Sequence, residues 1–313
     1  MPEYPRVTII TPSFNQAAFL EQTMQSVLSQ GYPNLEYMVI DGASTDGSVE
    51  IIQRYADRLA WWVSEKDRGQ ADAVNKGFAR ATGEYIGWLN SDDLYQPGSI
   101  QAAVEAFQAH PDCGMVYGDA VSIDGAGQPI NVMTFHPWGL DDLMQFSIIC
   151  QPGVYMRRSV LERAGYLDPT YHFMLDHHLW LRMLQLAPMH YVPERWASAR
   201  FHAAAKNVAQ AEAFGRDALR IVEWIEAQPG LAEPYYRLRR RIWAGAYRMD
   251  GRYLLDGGQP GPALRAYLRS LWAYPPAALS ESRRILYAAA SLFVNVEGLK
   301  QRYLQRRKAR LRL

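Results

Sequence analysis

The chain has 313 residues, of which 49% are hydrophobic and 21% charged, enough apolar material for a full core and a smaller second unit. No apolar run approaches the 18 residues of a membrane-spanning helix, and the first residues lack the basic and apolar segments of a secretory signal. The two cysteines follow no metal or disulfide spacing, which suits a reducing compartment. We therefore expect a cytoplasmic protein.

The formal net charge of +1 hides two regions of opposite sign. Residues 1–229 carry 16 Lys and Arg against 27 Asp and Glu, a net of −11, whereas residues 230–313 carry 17 against 5, a net of +12. Such a split predicts two regions with different partners. Because the pattern becomes continuously helical from about residue 208, we place the domain boundary between residues 207 and 208.

The first region alternates short apolar runs with helical patterns. Residues 6–11, 35–40 and 85–89 are rich in branched and aromatic side chains and read as buried strands. Asn15 is a candidate N-cap for the helix that follows the first strand. Strands alternating with helices predict an α/β fold with a doubly wound, mostly parallel sheet and helices on both faces, followed by an α-helical extension.

Polar residues follow three of these strands. Thr11-Pro12-Ser13, Asp41 and Asn90-Ser91-Asp92-Asp93 each come directly after an apolar run. Because the carboxyl ends of parallel strands meet at one edge, we expect these residues to line one crevice. Adjacent carboxylates can hold Mg²⁺ or Mn²⁺ while phosphate oxygens fill the remaining positions, although the same residue types also form plain solvated turns. No dinucleotide-type or Walker-type glycine motif is present, so another kind of nucleotide site is indicated.

Four segments in this region, taken in order, resemble the successive motifs of the family 2 glycosyltransferases. They are Thr11-Pro12-Ser13-Phe14-Asn15, residues 41–47, residues 67–77 and Asn90-Ser91-Asp92-Asp93. The resemblance covers about residues 5–207 and implies the GT-A fold. It also implies a nucleotide-diphosphosugar donor, expected to be a UDP-sugar, bound through Mn²⁺ or Mg²⁺, and inversion of the anomeric centre.

The resemblance assigns the donor and metal contacts to particular residues. Asp92 falls on the metal position, with Asp93 as a second candidate. The first acid of the family's motif is replaced here by Asn90, and the basic residue that many relatives carry near Val74 is absent. The residues that would contact the donor are Thr11, Pro12, Ser13, Asn15, Asp41, Asp67, Gly69, Gln70, Asn75, Lys76, Asn90 and Ser91.

A later segment, residues 173–182, resembles the family's Asp-x-Asp-Leu-Trp-Leu-Arg motif. Asp176 falls on the position of the catalytic base, and the apolar spacing after it predicts that it begins a helix. The alternative role for Asp176 is that of a helix N-cap, and the two roles are compatible. His177 and His178 are adjacent on that helix, so they point about 100° apart and are a poor pair of metal ligands.

Residues 200–207 resemble the family's closing Arg-x-His-x-x-Ser-Lys-Thr segment. By that resemblance His202 would complete the metal shell or bind the diphosphate, and Lys206 would neutralise phosphate charge. A structural role is the alternative for His202. Ahead of this segment, residues 124–127 (Asp-Gly-Ala-Gly) predict a hairpin, and Asp119 is either a donor-sugar contact or a turn residue.

The basic region predicts helices broken at residues 228–230 and 256–261, and residues 247–275 resemble one tetratricopeptide-like hairpin. The tail, residues 300–313, is basic with scattered apolar side chains. Such a tail can lie on an anionic membrane, and a solvated chain end is the alternative. No nucleic-acid-binding module is recognisable, so we expect no nucleic-acid partner.

Together these patterns predict a metal-dependent inverting glycosyltransferase that moves a sugar from a UDP-sugar to a hydroxyl of a carbohydrate or lipid-linked acceptor, in surface polysaccharide or glycolipid synthesis. Asn90 and Leu175, which replace acids found in relatives, leave open a nucleotide-sugar-binding protein without turnover. A metal-dependent nucleotidyltransferase is a second alternative, but it requires a triphosphate-binding Gly-rich loop after the first strand, and Thr11-Pro12-Ser13-Phe14-Asn15 is not one.

Overall fold

The computed structural model describes residues 4–202 and 211–293. The chain forms two compact units. The sheet unit comprises Met1–Gly127, Val132–Trp138 and Ile149–Arg200, and the helical unit comprises Gln128–Asn131, Gly139–Ile148 and Phe201–Leu313. The boundary that the sequence predicts after residue 207 falls in the segment 203–210, which lies outside the described residues.

The strands of the sheet are β1 (Val7–Ser13), β2 (Leu35–Asp41), β3 (Trp61–Ser64), β4 (Tyr85–Trp88), β5 (Leu94–Tyr95), β6 (Met115–Asp124), β7 (Pro129–Met133), β8 (Val154–Arg157) and β9 (Met189–Phe201). The helices along this part of the chain are α1 (Ala17–Leu28), α2 (Ser48–Arg54), α3 (Gln70–Arg80), α4 (Ser99–Ala109), α5 (Leu140–Met144), α6 (Arg158–Ala164) and α7 (Leu175–Leu184). The three strands predicted from branched and aromatic residues are all present.

The strand order is β3-β2-β1-β4-β8-β6-β9-β5, with β7 paired to β6. β1 pairs in parallel with both β2 and β4, and β2 pairs in parallel with β3, whereas β8 runs antiparallel between β4 and β6. The sheet is therefore mixed and mostly parallel. Its register sets Ser13 beside Asp41 and Asp41 beside Ser64, so the carboxyl ends of three strands lie side by side.

The core of the sheet unit is fully buried and rich in large side chains, including Ile9, Trp88 and Trp196. Helix α3 packs tightly on β1 because it carries Gly77 at the contact. A Cβ at residue 77 would lie 2.6 Å from Cγ2 of Ile10, so any larger residue would push the helix away. This close packing fixes the position of α3 and of the residues at its start.

Two local predictions for this unit were wrong. Asn15 does not cap α1: the N-cap residue is Gln16, and the backbone N–H of Ala17 donates to Oδ2 of Asp46 at 2.8 Å. The turn alternative for Asp119 is also wrong, because β6 runs to Asp124 and Asp119 lies inside that strand. The hairpin predicted at residues 124–127 is confirmed, since Gly127 N–H donates to the carbonyl of Asp124 at 2.9 Å.

The described helices of the helical unit after β9 are Ala211–Ala227, Ala232–Asp256, Pro260–Ala273, Pro275–Leu279 and Ser282–Ala290. Both predicted breaks are confirmed. The predicted tetratricopeptide-like start at Tyr247 lies in the middle of a 25-residue helix. That long helix packs on the next one through the Ser270 hydroxyl, which donates to the carbonyl of Ala244 at 2.8 Å. Among the described residues, no helix has the length and hydropathy needed to cross a bilayer.

Candidate active site

Asn90, directly after β4, is held by hydrogen bonds on both ends of its side-chain amide. Its Oδ1 accepts from Trp88 Nε1 at 2.9 Å and from Gln70 Nε2 at 2.7 Å. Its Nδ2 donates to Asp93 Oδ2 at 3.2 Å and to Gln151 Oε1 at 3.1 Å. Because the indole N–H can only donate, it fixes which end of the amide is the oxygen. Asparagine thus satisfies two donors and two acceptors at once, which an aspartate cannot do.

Asp93 is buried and faces the protein interior. Its Oδ1 accepts from the backbone N–H of Arg200 at 2.9 Å, and its backbone carbonyl accepts from the Thr23 hydroxyl at 2.8 Å. Burial, followed by the negative charge of Asp92, raises the pKa of the Asp93 carboxyl well above its ordinary value. Asp92, by contrast, is only partly buried. Of the two carboxylates, Asp92 is therefore the one more open to a ligand.

Arg200 holds the Asp92–Asp93 turn from the far side. Its Nε donates to the carbonyl of Asp92 at 2.8 Å, and one terminal nitrogen donates to Gln22 Oε1 at 2.9 Å. The other terminal nitrogen reaches the carbonyls of Asp124 and Gly125 at 3.3 and 3.2 Å. Arg200 is 97% buried, and desolvation by burial lowers the pKa of its guanidinium. One side chain thus ties the turn to α1 and to the tip of the β6–β7 hairpin.

The loops after β1 and β2 are tied together by side chains. Asn15 and Ala43 both adopt positive φ, 51° and 63°, a conformation that asparagine tolerates better than most residues. The backbone N–H of Asn15 donates to the Ser44 hydroxyl at 2.7 Å, and its Oδ1 accepts from the Thr45 N–H at 2.9 Å. The two loops therefore form one rigid edge at the ends of neighbouring strands.

Asp41 is fully buried at the end of β2. Its carboxylate accepts from the Ser44 hydroxyl at 2.5 Å and N–H at 2.9 Å, and from the Ser64 hydroxyl at 2.7 Å. Asp67 lies close by, because a Cβ at Gly42 would be only 2.6 Å from Asp67 Oδ2. Asp67 Oδ1 also accepts from the Gly69 N–H at 2.8 Å, forming the turn before α3. The structure thus brings Asp41 and Asp67 close together, and their predicted contacts with the donor stay predictions.

Thr11 and Ser13 project from β1 into the protein. Thr11 Oγ1 lies 3.1 Å from the Tyr37 hydroxyl and is fully buried. The Ser13 hydroxyl is buried without a hydrogen-bond partner among the described residues. Their predicted roles as donor contacts are not tested by this geometry and stay predictions.

Three residues of α3 have defined partners. Gln70 reaches Asn90, and Lys76 forms an ion pair with Glu65 at 2.8 Å. Asn75 is occupied on both ends of its amide, because Nδ2 donates to the Leu167 carbonyl at 2.8 Å and Oδ1 accepts from the Leu167 N–H at 2.9 Å. Of these three residues, Gln70 is the one whose side chain reaches the turn at Asn90. The predicted donor contacts of Asn75 and Lys76 stay predictions.

The segment before α7 is fixed from two sides. Asn75 holds it from α3. Arg182, on α7, donates from its terminal nitrogens to the carbonyls of Ala164, Gly165 and Tyr166 at 2.6–2.8 Å. These are carbonyls at and beyond the end of α6, which have no partner within that helix. The chain between α6 and α7 is therefore tied to α7 by Arg182 and to α3 by Asn75.

Asp176 is the second residue of α7, and the N-cap residue is Met174, so the N-cap alternative is wrong. Its Oδ1 accepts from the His177 N–H at 2.8 Å. Burial outweighs this bond and raises the pKa of Asp176 from an ordinary 3.8 to about 6. Such a carboxyl is ionised at neutral pH yet basic enough to accept a proton.

The segment at Cys150 and Gln151 binds the turn after β4. Burial, then the negative charges of Asp93 and Asp176, raises the pKa of the Cys150 thiol. The next residue, Gln151, donates through Nε2 to the Trp88 carbonyl at 2.5 Å and accepts from Asn90. Gln151 therefore ties the end of β4 to the turn that carries Asp92 and Asp93.

The carboxylates of the turn can supply part of the ligand set of a divalent cation. No group of three or more histidine, cysteine or acidic side chains among residues 4–202 and 211–293 could hold a metal alone. Asp92 offers one accessible carboxylate. Mg²⁺ and Mn²⁺ sites that rely on one or two carboxylates take their other ligands from substrate phosphates and water, so these residues fit such a site.

Two predicted ligands are not placed by these contacts. His202 directly follows β9 and belongs to the helical unit, and its role on a metal stays a prediction. Lys206 lies in the segment 203–210, outside the described residues.

Asp119 accepts from the Phe135 N–H and from the Tyr191 hydroxyl, both at 2.9 Å, so its carboxylate serves the packing of β6.

Sequence reasoning missed the residues that support the site. The sequence pattern includes Arg200 in a motif but gives it no function. It gives no reason to select Gln22, Thr23 or Gln151. Long polar side chains inside largely apolar stretches were the available signal, since such residues are rarely buried unless they are hydrogen-bonded. The pattern gave no means of identifying their partners, which lie up to 178 residues away in the chain.

Comparison with known proteins adds a family and a fold. The family model described as "Glycosyl transferase family 2" matches residues 8–165. A putative teichuronic acid biosynthesis glycosyltransferase of Bacillus subtilis, TuaG, is 31% identical over 187 residues, which cover 58% of this chain and 73% of that protein. The chain spans 55%, 34% and 34% of three further glycosyltransferase relatives.

Two solved structures share the GT-A fold. Staphylococcus aureus TarS 1–349 in complex with UDP-GlcNAc gives a TM-score of 0.59 at 15% identity, covering 89% of this chain and 92% of that one. The mannosyltransferase PcManGT of Pyrobaculum calidifontis, in complex with GDP-Man and Mn²⁺, gives a TM-score of 0.62 at 21% identity, covering 98% of this chain and 86% of that one. At these identities the likeness shows the fold alone.

Proposed function

The chain belongs to glycosyltransferase family 2, and we propose that it transfers a sugar from a UDP-sugar to a hydroxyl of a carbohydrate or lipid-linked acceptor with inversion at the anomeric carbon. The acceptor belongs to a cell-surface polysaccharide or glycolipid. The relative in teichuronic acid biosynthesis supports this acceptor class, and the UDP-GlcNAc complex of TarS supports the donor class.

The proposal rests mainly on one observation, namely that the partly buried Asp92 lies on a turn after β4 that Asn90 and Arg200 hold in place. A second carboxylate, Asp176, lies in the first turn of α7, and burial raises its pKa to about 6. An inverting displacement needs one carboxylate on the acceptor side and a separate group for the leaving diphosphate. It needs no enzyme nucleophile. Asp176, on α7, would supply the acceptor-side carboxylate, and Asp92, on the turn after β4, would supply the group for the leaving diphosphate.

Asp92 would hold a divalent cation through its carboxylate, with Asp93 behind it as support. The cation would neutralise charge on the departing nucleoside diphosphate. Arg200 and Asn90 hold the backbone and the neighbouring side chain of the turn, so Asp92 is presented from a rigid support. The Mn²⁺ and GDP-Man in PcManGT support a divalent cation for this chain as well.

Asp176 would accept the proton of the acceptor hydroxyl as that oxygen attacks the anomeric carbon. A pKa of about 6 leaves most of the group ionised at pH 7 and makes it more basic than an ordinary carboxylate. General-base assistance of this kind contributes roughly 10²–10⁴-fold. Asp41 and Asp67, at the ends of the neighbouring strands, would accept hydrogen bonds from the base or ribose of the donor.

The test is a transfer assay with a panel of UDP-sugars and sugar acceptors, with and without Mn²⁺, and NMR analysis of the product's anomeric configuration. The proposal predicts Mn²⁺-dependent release of UDP coupled to a product of inverted configuration. Tight UDP-sugar binding without turnover would favour a binding protein, and release of pyrophosphate from a nucleoside triphosphate would favour a nucleotidyltransferase. Retention of configuration would contradict the single-displacement mechanism.

A further inference from the structure

The helix Pro260–Ala273 has an exposed face as well as a buried one. Arg265, Leu268, Arg269 and Trp272 are spaced three and four residues apart, so they share one side of the helix. All four are exposed, Trp272 at 87% and Leu268 at 53%. The opposite side, with Ala263, Ala266, Tyr267 and Ser270, is buried. Two large apolar side chains thus project outward between two arginines.

The long helix Ala232–Asp256 extends this face. Arg240 donates from Nε to the carbonyl of Ala273, next to Trp272, at 2.9 Å. The Arg269 guanidinium lies 5.9 Å from the ring centroid of Tyr247. Tyr236, 71% exposed, and Arg239 project from the same side of the long helix. We call Tyr236, Arg239, Arg240, Arg265, Leu268 and Trp272 the arginine–aromatic surface.

The acidic residues of this part of the chain are neutralised by other arginines. Glu233 pairs with Arg237, Asp256 with Arg284, and Glu281 with Arg252 and Arg284. Burial raises the pKa of Asp250, the fourth acid of residues 230–293, and the charges of Arg269 and Arg216 oppose that shift. Within the described part of the chain, no carboxylate lies at ion-pair distance from Arg239, Arg240 or Arg265. The arginine–aromatic surface therefore keeps its positive charge.

We infer that this surface binds an anionic lipid bilayer. Tryptophan and tyrosine favour the depth of the lipid headgroups, leucine adds buried apolar area, and arginine contacts lipid phosphates while its stem lies on the apolar region. An anionic glycan is a weaker match, since Leu268 offers it no hydrogen bond and Arg269 already stands over the ring of Tyr247. A second copy is also a weaker match, because two identical basic surfaces repel.

This inference does not depend on the glycosyltransferase activity, and it differs from attachment through residues 300–313, which lie outside the described residues. The experiment is co-sedimentation of the full chain with phosphatidylcholine vesicles, with and without phosphatidylglycerol. One variant combines Arg239→Glu with Arg265→Glu, and a second combines Leu268→Ser with Trp272→Ser. The control combines Arg163→Glu with Arg195→Glu, two exposed arginines of the sheet unit with the same charge change.

Binding should require phosphatidylglycerol and weaken in about 1 M NaCl, where the Debye length is short. Each basic side chain near an anionic surface raises the affinity about fivefold. The charge-reversal variant should therefore bind the vesicles at least about tenfold more weakly than wild type, whereas the control should bind as wild type does. The apolar variant should also bind more weakly. Equal binding by both variants and control would overturn the inference. A chain that does not bind vesicles would also overturn it, if instead its binding to a soluble anionic polysaccharide is weakened by the same variants. The same holds if the variants weaken its self-association, measured by sedimentation velocity.

Discussion

The backbone N–H of Arg200 donates to Oδ1 of Asp93 at 2.9 Å, across 107 residues of chain. From this one residue the guanidinium also reaches the carbonyl of Asp92. The last strand of the sheet thus supports the turn that carries the proposed metal ligand. Arg200 is a positioning residue, because its backbone and guanidinium bind the turn itself.

Arg200→Met should weaken donor binding and also destabilise the protein. The change removes the hydrogen bonds that the guanidinium donates to the carbonyls of Asp92, Asp124 and Gly125, and a hydrogen bond from a charged group contributes about 1.5–3 kcal/mol. The free energy of unfolding, measured with urea, should fall by about 3 kcal/mol. In the folded variant the Kd for UDP with Mn²⁺ should rise more than the Kd for UDP alone.

The control for that change is Arg195→Met, which removes an exposed arginine from the same strand. It should leave stability within about 0.5 kcal/mol and affinity near wild type. If Arg200→Met loses stability but keeps the Mn²⁺ dependence of UDP binding unchanged, the support of Asp92 by Arg200 is purely structural.

Asn90→Asp should destabilise the protein, although it restores the acid found at this position in many relatives. The new carboxylate would place lone pairs against Asp93 Oδ2 and Gln151 Oε1, which now accept from the amide. Repulsion should raise the pKa of the carboxyl pair further, so its folded-state pKa exceeds its unfolded value. The destabilisation is then absent at low pH and grows as pH rises through that folded pKa.

Urea unfolding of Asn90→Asp and wild type at pH 5 and pH 8 measures this effect. We expect a loss of about 1–3 kcal/mol at pH 8 and a smaller loss at pH 5. A variant that is as stable as wild type at pH 8 and binds Mn²⁺ more tightly would mean that residue 90 is a metal position and not part of a support.

Asp92→Asn should abolish the Mn²⁺ dependence of UDP binding, because it removes the accessible carboxylate. Asp93→Asn should cost less affinity, since Asp93 is buried behind the turn and its oxygens accept from Arg200 and Asn90. Isothermal titration of UDP into both variants, with Mn²⁺ and with EDTA, separates the two roles. An Asp92→Asn protein with unchanged Mn²⁺-dependent affinity would remove Asp92 from the metal position.

How far the sequence predicts the site depends on the range of the interaction. Asp92 was identified from the turn that follows a strand, and Asp176 from its place in a segment that resembles a motif of the family. The parallel strands β1, β2 and β4 were predictable for the same reason, since branched and aromatic runs favour strands. The antiparallel strands β8 and β9 pair with segments distant in the chain, and no local pattern specifies those partners.

The ionisation of Asp176 shows the same limit. A place in the first turn of a helix favours an ionised carboxylate through the helix dipole, but burial dominates and raises the pKa of Asp176 to about 6. Burial depends on segments packed around α7, including the one at Cys150, and these cannot be read from residues 173–182. Likewise, Asn75 fitted a donor-site motif, yet both ends of its amide bind the backbone of Leu167.

Asp176→Asn should be more stable than wild type at pH 8. The raised pKa means that the folded state disfavours the charged form, so wild-type stability falls as pH rises from about 4 to about 6 and stays lower above that. The asparagine amide oxygen can still accept from the His177 N–H without carrying charge. A gain of about 3 kcal/mol at pH 8, vanishing near pH 4, is expected in urea unfolding. A loss of stability at pH 8 would show that the carboxylate serves the fold.

The measurement that tests the central claim most directly is the turnover of Asp176→Asn, made together with its UDP affinity. If Asp176 is the general base, kcat should fall at least about 100-fold while the Kd for UDP with Mn²⁺ stays near wild type, and wild-type kcat should decline as pH drops through about 6. Asp168→Asn, the same change in the turn before α7, should keep kcat within about threefold. A folded Asp176→Asn enzyme with near-normal turnover would contradict the assignment of the base.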